Sequence, residues 1–322
     1  MRPASFNRSY PLLTFLALAI QLLSGLTTLR AATGDSQASS SSGEEVRWNP
    51  ALPREWVAWN VRRKPFRLLG PIHYVGPAGV SSFLITTEAG HILLDTGFAA
   101  TPPILRENIT ALGFKLTDIR YILSSHAHVD HVGGHALMKR WTGATVVASQ
   151  ADAALLASGG TNDYSGQELA VMGYPPIVAD RVVRDGDTVT LGGVTLTCHL
   201  TPGHTRGCTS WTMEVADEGK TRHVLFFGST TVLPGVRLVG NAQYPEIAED
   251  LTRTYRTLLS LPCDVFLAPH ASFFDLASRA ERLAGAPGVN PFVDREFPRS
   301  FLASAEQRFL EQLARERTAA AK

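Results

Sequence analysis

Four side chains able to bind a metal fall within one short run, Ser124-Ser125-His126-Ala127-His128-Val129-Asp130-His131, which carries His126, His128, Asp130 and His131. His126 and His128 alternate with small Ala127, so in an extended segment both imidazoles leave the chain on the same side. Nitrogen and oxygen donors without cysteine suit zinc. They suit a catalytic ion better than a structural one, because structural zinc closes its shell with four ligands, often thiolates, whereas catalytic zinc keeps a position for water. Further ligands must come from distant parts of the chain. His204 in Thr201-Pro202-Gly203-His204-Thr205 and His270 in Ala268-Pro269-His270 each stand directly after a strand-like stretch, as the first cluster does. His73, His91, His135, His199 and His223 lie inside strand patterns or on a helix face and read as ordinary histidines.

The elements that must position these residues are legible as short apolar runs ending in polar loops. Residues 73–76, 82–87 and 91–95 read as strands, with Glu88-Ala89-Gly90 as a tight turn and Asp95-Thr96-Gly97 closing the third. A helix is expected over 101–112, opened by Thr101-Pro102 and followed by Gly113. A strand at 120–123 leads into the His-rich run, and Gly133-Gly134 into a helix over 135–142. Strand 144–148 and helix 150–158 follow, and the loop 157–173, with Gly159-Gly160 and Tyr164, is expected to border the pocket. Strands are expected at 188–191 and 194–200, joined by Gly192-Gly193, then at 209–214, 223–227 and 265–267. Helices are expected over 248–259 and 304–319. Two sheets sandwiched between helical layers is the simplest α/β architecture for this order.

The chain has 322 residues, 44% hydrophobic and 18% charged, with a formal net charge of +1, which offers no basic stripe for nucleic acid and no acidic tail. Arg2 and Arg8 precede a mainly apolar stretch from Leu12 to Leu26, and small Ala31 and Ala32 follow. This is the pattern of a secretory signal peptide over residues 1–31, and the stretch is short for a membrane anchor. Cleavage there removes Arg2, Arg8 and Arg30 and no acid, leaving a mildly acidic protein. Residues 32–46, rich in Ser, Gly and Ala, read as a flexible leader, and 47–322 as one catalytic domain beginning near Val46-Arg47-Trp48. Cys198, Cys208 and Cys263 allow at most one internal disulfide. Cys198 and Cys208 flank a turn and either face each other across a hairpin or, like Cys263, serve as small buried apolar residues.

The run H-x-H-x-D-H, the later Gly203-His204-Thr205 and Pro269-His270, and Asp95-Thr96-Gly97 after a strand together resemble the metallo-β-lactamase superfamily, over nearly the whole chain beyond the leader. The resemblance implies a four-layer αββα sandwich, two mixed β-sheets between helical layers. The superfamily spans glyoxalase-II-type thioesterases, lactonases, phosphodiesterases, RNA-processing nucleases and β-lactamases. Many members carry a metal-bridging Asp in a Phe-x-Gly-Asp context, but here Phe226-Phe227-Gly228-Ser229 places Ser229 there, and one β-lactamase subclass has Cys instead. The remaining pattern is similar to subclass B3, as are Trp48, Ile72-His73-Tyr74-Val75-Gly76 and Leu261-Pro262-Cys263-Asp264-Val265. Some members pair a Cys at position 263 with a later one, which this chain lacks.

By that resemblance His126, His128 and His204 hold one zinc ion, and Asp130, His131 and His270 a second. A zinc-bound hydroxide then opens the β-lactam amide of penicillins, cephalosporins and carbapenems, an antibiotic-resistance activity. Asp130 is both ligand and orienter of that hydroxide. Ser229 and Thr231 either bind the substrate carboxylate or only satisfy local backbone groups. The expected partner is a small-molecule β-lactam and no nucleic acid. A periplasmic monomer with no stable membrane association after signal cleavage is expected. A lactonase or glyoxalase-II-like thioesterase is the alternative, and a non-catalytic zinc protein the third reading.

Overall fold

The computed structural model describes residues 49–50, 52–166, 169–285, 288 and 290–322; the expected signal peptide, leader and Trp48 lie outside them. Among the described residues, strands form two sheets. The first runs in chain order through β1 (Phe66–Leu69), β2 (Ile72–Tyr74), β3 (Phe83–Thr87), β4 (Gly90–Leu94), β5 (Ile119–Leu123), β6 (Thr145–Ser149) and β7 (Arg181–Val183). Short connections make β1 to β4 antiparallel. Inserted helices Pro102–Ala111, His135–Thr142 and Gln150–Ala157 give crossover connections, so β4, β5, β6 and β7 run parallel.

The second sheet comprises β8 (Thr188–Leu191), β9 (Val194–Leu200), β10 (Thr209–Asp217), β11 (Lys220–Phe226) and β12 (Val265–Leu267), again in sequential order. Gly192 and Gly193, at φ 52° and 82°, turn β8 into β9; both positive φ values match the right-handed twist of a two-residue hairpin. β8 to β11 are antiparallel, and helix Ile247–Ser260 returns the chain so that β12 pairs parallel with β11.

Alternation along the central strands explains the layering. Ile92, Leu94, Leu123 and Val147 join Trp211, Met213, Val224 and Phe226 in the core between the sheets, where Phe83 meets Phe226 edge-on at 5.4 Å. Their neighbours Leu93, Ile122 and Val146 point the other way, onto Leu105, Ile109, Met138 and Leu156 of the three crossover helices. Helix Ile247–Ser260 packs Leu251 and Tyr255 against Phe309 and Leu313 of the C-terminal helix Glu296–Ala320. The αββα sandwich of two mixed sheets is therefore the architecture found.

The structure also adds elements. The C-terminal helix starts at Glu296, not 304; Pro298 lies in its first turn, where a missing N–H costs nothing. Strands β1 and β7 and helix Arg54–Trp59 are too short to show a periodic signature, and helix Leu276–Gly285 carries Leu276, Ala280 and Leu283 at helical spacing toward the core. Cys198 and Cys208 do not pair, and all three cysteines are free. The register sets Trp211 opposite Cys198, while Cys208 lies one step past the Leu200–Thr209 pair, with its thiol on the Ser229 carbonyl at 3.5 Å.

Candidate metal centre

The six candidate donors and Ser229 stand past the carboxyl ends of β5, β9, β11 and β12; β5 runs parallel to β4 and β6, and β9, β11 and β12 share one direction. The His-rich loop is fixed from both sheets. Asp95, held at φ 60° past β4, accepts the Ser125 N–H at 2.7 Å and the Ser125 hydroxyl at 2.6 Å. From the second sheet, Trp211 Nε1 donates to the Ser124 carbonyl at 3.1 Å and the Thr209 N–H to the Ser125 carbonyl at 2.8 Å. His128 is extended (φ −94°, ψ 157°), and a single turn, Val129–Val132, then swings Asp130 and His131 back toward it.

Three imidazoles converge. His204 Nε2 is 3.1 Å from both His126 Nε2 and His128 Nδ1, and all three residues are buried. Beside them Asp130 Oδ2 lies 3.1 Å from His131 Nε2 and 3.4 Å from His270 Nε2. His126, Asp130 and His131 also form a tight donor group, so His126 stands at the border between the two trios. His73, His91, His135, His199 and His223 are in neither donor group; His135, for example, bonds Thr96 Oγ1 at 2.8 Å and His199 bonds Thr212 Oγ1 at 2.8 Å.

The electrostatics fit a cation. Burial, reinforced by neighbouring imidazoles, holds His126 well below the ordinary histidine pKa, His204 at about 3 and His270 at about 4, so their lone pairs are free at neutral pH. Burial pushes Asp130 upward, but His131 outweighs it and keeps the carboxylate ionised. His131 shows the converse: burial lowers it, yet Asp130 and Asp95 carry it above its ordinary value. His131 is wholly buried, and although Asp130 Oδ2 lies 3.1 Å from Nε2 and Asp95 Oδ2 3.7 Å from Nδ1, neither ring nitrogen makes an aligned hydrogen bond, an arrangement that a bound metal would resolve. The His/Asp cluster is a metal-binding site in chemistry and in shape.

Outer contacts orient the imidazoles. His128 Nε2 meets Asp163 Oδ2 at 3.0 Å, with both side chains nearly enclosed, and His204 Nδ1 donates to the Thr231 carbonyl at 2.6 Å. Tyr164, in the loop expected to border the pocket, donates to the carbonyls of Gly203 at 2.9 Å and His204 at 3.1 Å. Asp163 was missed in the sequence because a lone acid in a glycine-rich loop reads as a solvated turn residue. Ser229 is 2% exposed and its Oγ accepts the Thr231 N–H at 3.3 Å, so it makes the local contact and also lies beside His204 through Thr231.

Comparison with known proteins agrees with this geometry. The family model described as the metallo-beta-lactamase superfamily matches residues 75–270. The chain is similar to native FEZ-1 metallo-beta-lactamase from Legionella gormanii (TM-score 0.79, 39% identity, covering 80% of this chain and 98% of that one). It is likewise similar to BJP-1, a subclass B3 metallo-beta-lactamase of Bradyrhizobium japonicum (TM-score 0.75, 40% identity, 82% and 98% covered). A hydroxyacylglutathione hydrolase from Rhodopseudomonas palustris (strain BisB18) is 33% identical over 155 residues, covering 48% of each chain. The chain spans about half the length of the first curated relatives it matches.

Proposed function

Because the chain belongs to the metallo-beta-lactamase superfamily of hydrolases, we propose that it is a subclass B3 zinc β-lactamase opening the amide of penicillins, cephalosporins and carbapenems. The observation that carries the choice is Ser229, buried beside the cluster where thioesterase-like members bring a bridging carboxylate. Likeness to FEZ-1 and BJP-1 over nearly their full lengths supports the same reading.

In this proposal His126, His128 and His204 hold one zinc ion, and Asp130, His131 and His270 a second. Bound there, zinc supplies Lewis acidity and lowers the pKa of water toward neutrality. The chain's own residues do the rest. Asp130, ionised and enclosed, accepts a hydrogen bond from the attacking water and aims it at the lactam carbonyl. Burial keeps His126, His204 and His270 neutral donors of lone pairs. Exposed Thr231, with Ser229 supporting it through the Thr231 N–H, is the proposed partner of the substrate carboxylate. The N-terminal pattern supports export to the periplasm, where a monomer acting on diffusing β-lactams would confer resistance.

A thioesterase is the second reading, favoured by the partial match to the hydroxyacylglutathione hydrolase. Purified, zinc-loaded protein assayed with nitrocefin, a penicillin, a carbapenem and a glutathione thioester separates the two. Turnover of the thioester with none of the lactams overturns the β-lactamase reading.

A further inference from the structure

We infer that Asp152 is a positioning residue that locks together the two loops carrying the first histidine trio. The inference rests on the two-trio reading of the site. Ser149-Gln150-Ala151-Asp152 opens helix Gln150–Ala157 and has the spacing of a capping box, in which the acid would fold back onto the Ser149 backbone N–H. Half of that box forms, with Ser149 Oγ accepting the Asp152 N–H at 3.4 Å. The carboxylate turns elsewhere. Its Oδ2 accepts the Ala127 N–H at 2.9 Å and the Thr205 hydroxyl at 3.2 Å, and its Oδ1 accepts the Gly207 N–H at 3.1 Å.

Those partners are telling. Ala127 is the spacer between His126 and His128, and Thr205 directly follows His204. One carboxylate therefore sets the pitch of the extended His-Ala-His segment and the position of the loop that presents the third imidazole. A second tie runs alongside, with the Ser149 hydroxyl donating to the Gly207 carbonyl at 2.6 Å. The approach is close enough that a Cβ on residue 207 would sit 2.5 Å from Asp152 Oδ1. Asp152 is 3% exposed and its three partners are neutral donors, a costly place for a carboxylate whose only task is capping a helix. Burial accordingly raises its pKa to about 6 against the pull of those hydrogen bonds.

The test is zinc binding by the full-length, metal-stripped protein, titrated with Zn2+ against a chromophoric chelator. His204→Ala and His270→Ala assign each binding step to its trio. Asp152→Asn, which cannot accept from all three donors, is expected to weaken the first-trio step by about 10- to 100-fold and leave the second-trio step unchanged. Gly207→Ala, which forces the same loop away, is expected to give the same selective loss and decides the matter if Asp152→Asn does not fold. Native zinc affinity at both steps overturns the inference. So does equal weakening of both steps with a lowered unfolding midpoint, the signature of a helix cap alone. A native chain that takes up no zinc overturns the metal reading and this inference with it; native uptake with an unaffected Asp152→Asn overturns this inference alone.

Discussion

Replacing Asp163 should loosen the first metal trio without touching any residue that faces the ion. Its Oδ2 lies 3.0 Å from His128 Nε2, and the side chains of the pair are 6% and 4% exposed, so solvent cannot substitute for the bond. A hydrogen bond to a charged group in such a place contributes about 1.5–3 kcal/mol. At about 1.4 kcal/mol per factor of ten, zinc affinity at the first trio should fall about 10- to 150-fold. Asp163→Asn, which keeps the volume and one acceptor, belongs at the low end, and Asp163→Ala, which strands the buried His128 ring nitrogen, at the high end. Chelator competition measures the affinity, and nitrocefin turnover at limiting and saturating zinc shows whether added metal restores the rate. The clamp is also pH-tolerant. Burial raises Asp163, but the His128 bond outweighs it and holds the group at about 2, below its ordinary 3.8. A depressed carboxylate pKa stabilises fully above the ordinary value and is lost as pH falls through the folded one. In metal-free protein the unfolding free energy that this bond contributes should therefore persist across the neutral range and be lost only as pH falls from 3.8 toward 2. Unchanged zinc affinity in both folded variants would refute the reasoning.

Trp211→Phe removes the Nε1–H that satisfies the buried Ser124 carbonyl, so urea unfolding should register a loss of about 1–3 kcal/mol, larger than for a Trp→Phe change lacking a polar contact. His135, fully buried, is held at about 3 by desolvation against an ordinary 6.5, so its folded form takes up a proton later than the unfolded chain. Its stabilisation is complete above 6.5 and lost as pH falls toward 3, and the slope of unfolding free energy with pH across that window should flatten in His135→Gln. Stripping the protein with a chelator should abolish lactam hydrolysis and raise no new activity, with zinc restoring the rate; turnover that survives chelation in dialysed protein counts against a metal-dependent reaction.

Much of the fold was readable because its signals are local. Strands β8, β9 and β12 and helix His135–Thr142 appear at their expected ends, each bounded by Gly, Pro or a polar turn that ends its periodicity. What escaped was weakly periodic: β7 is a three-residue edge strand, and the first turn of the C-terminal helix holds a proline that reads as a stop although an N-terminal turn tolerates it. Donor types and strand-end placement singled out His126, His128, Asp130, His131, His204 and His270, and the fold brings all of them to one place. The supporting residues gave no such signal, because Asp152 reads as a helix cap and Asp163 as a turn acid until their partners are known.

Sequence alone determined the chemistry at the His-rich run: small Ala127 between two imidazoles and an acid one turn on specify metal donors through spacing that any extended-to-helix segment would preserve. Only tertiary structure decided whether those donors meet. Asp95, Trp211, Asp152 and Asp163 act across gaps of 30, 87, 25 and 35 positions measured to the loop residues they hold. Contacts of that range are set by which strands lie side by side in the first sheet and, for Trp211, by how the second sheet stacks on it, which no local pattern encodes. The same stacking buries the cluster, holding His126, His204 and His270 neutral and Asp130 ionised, and so turns residues of suitable type into a site ready for a cation.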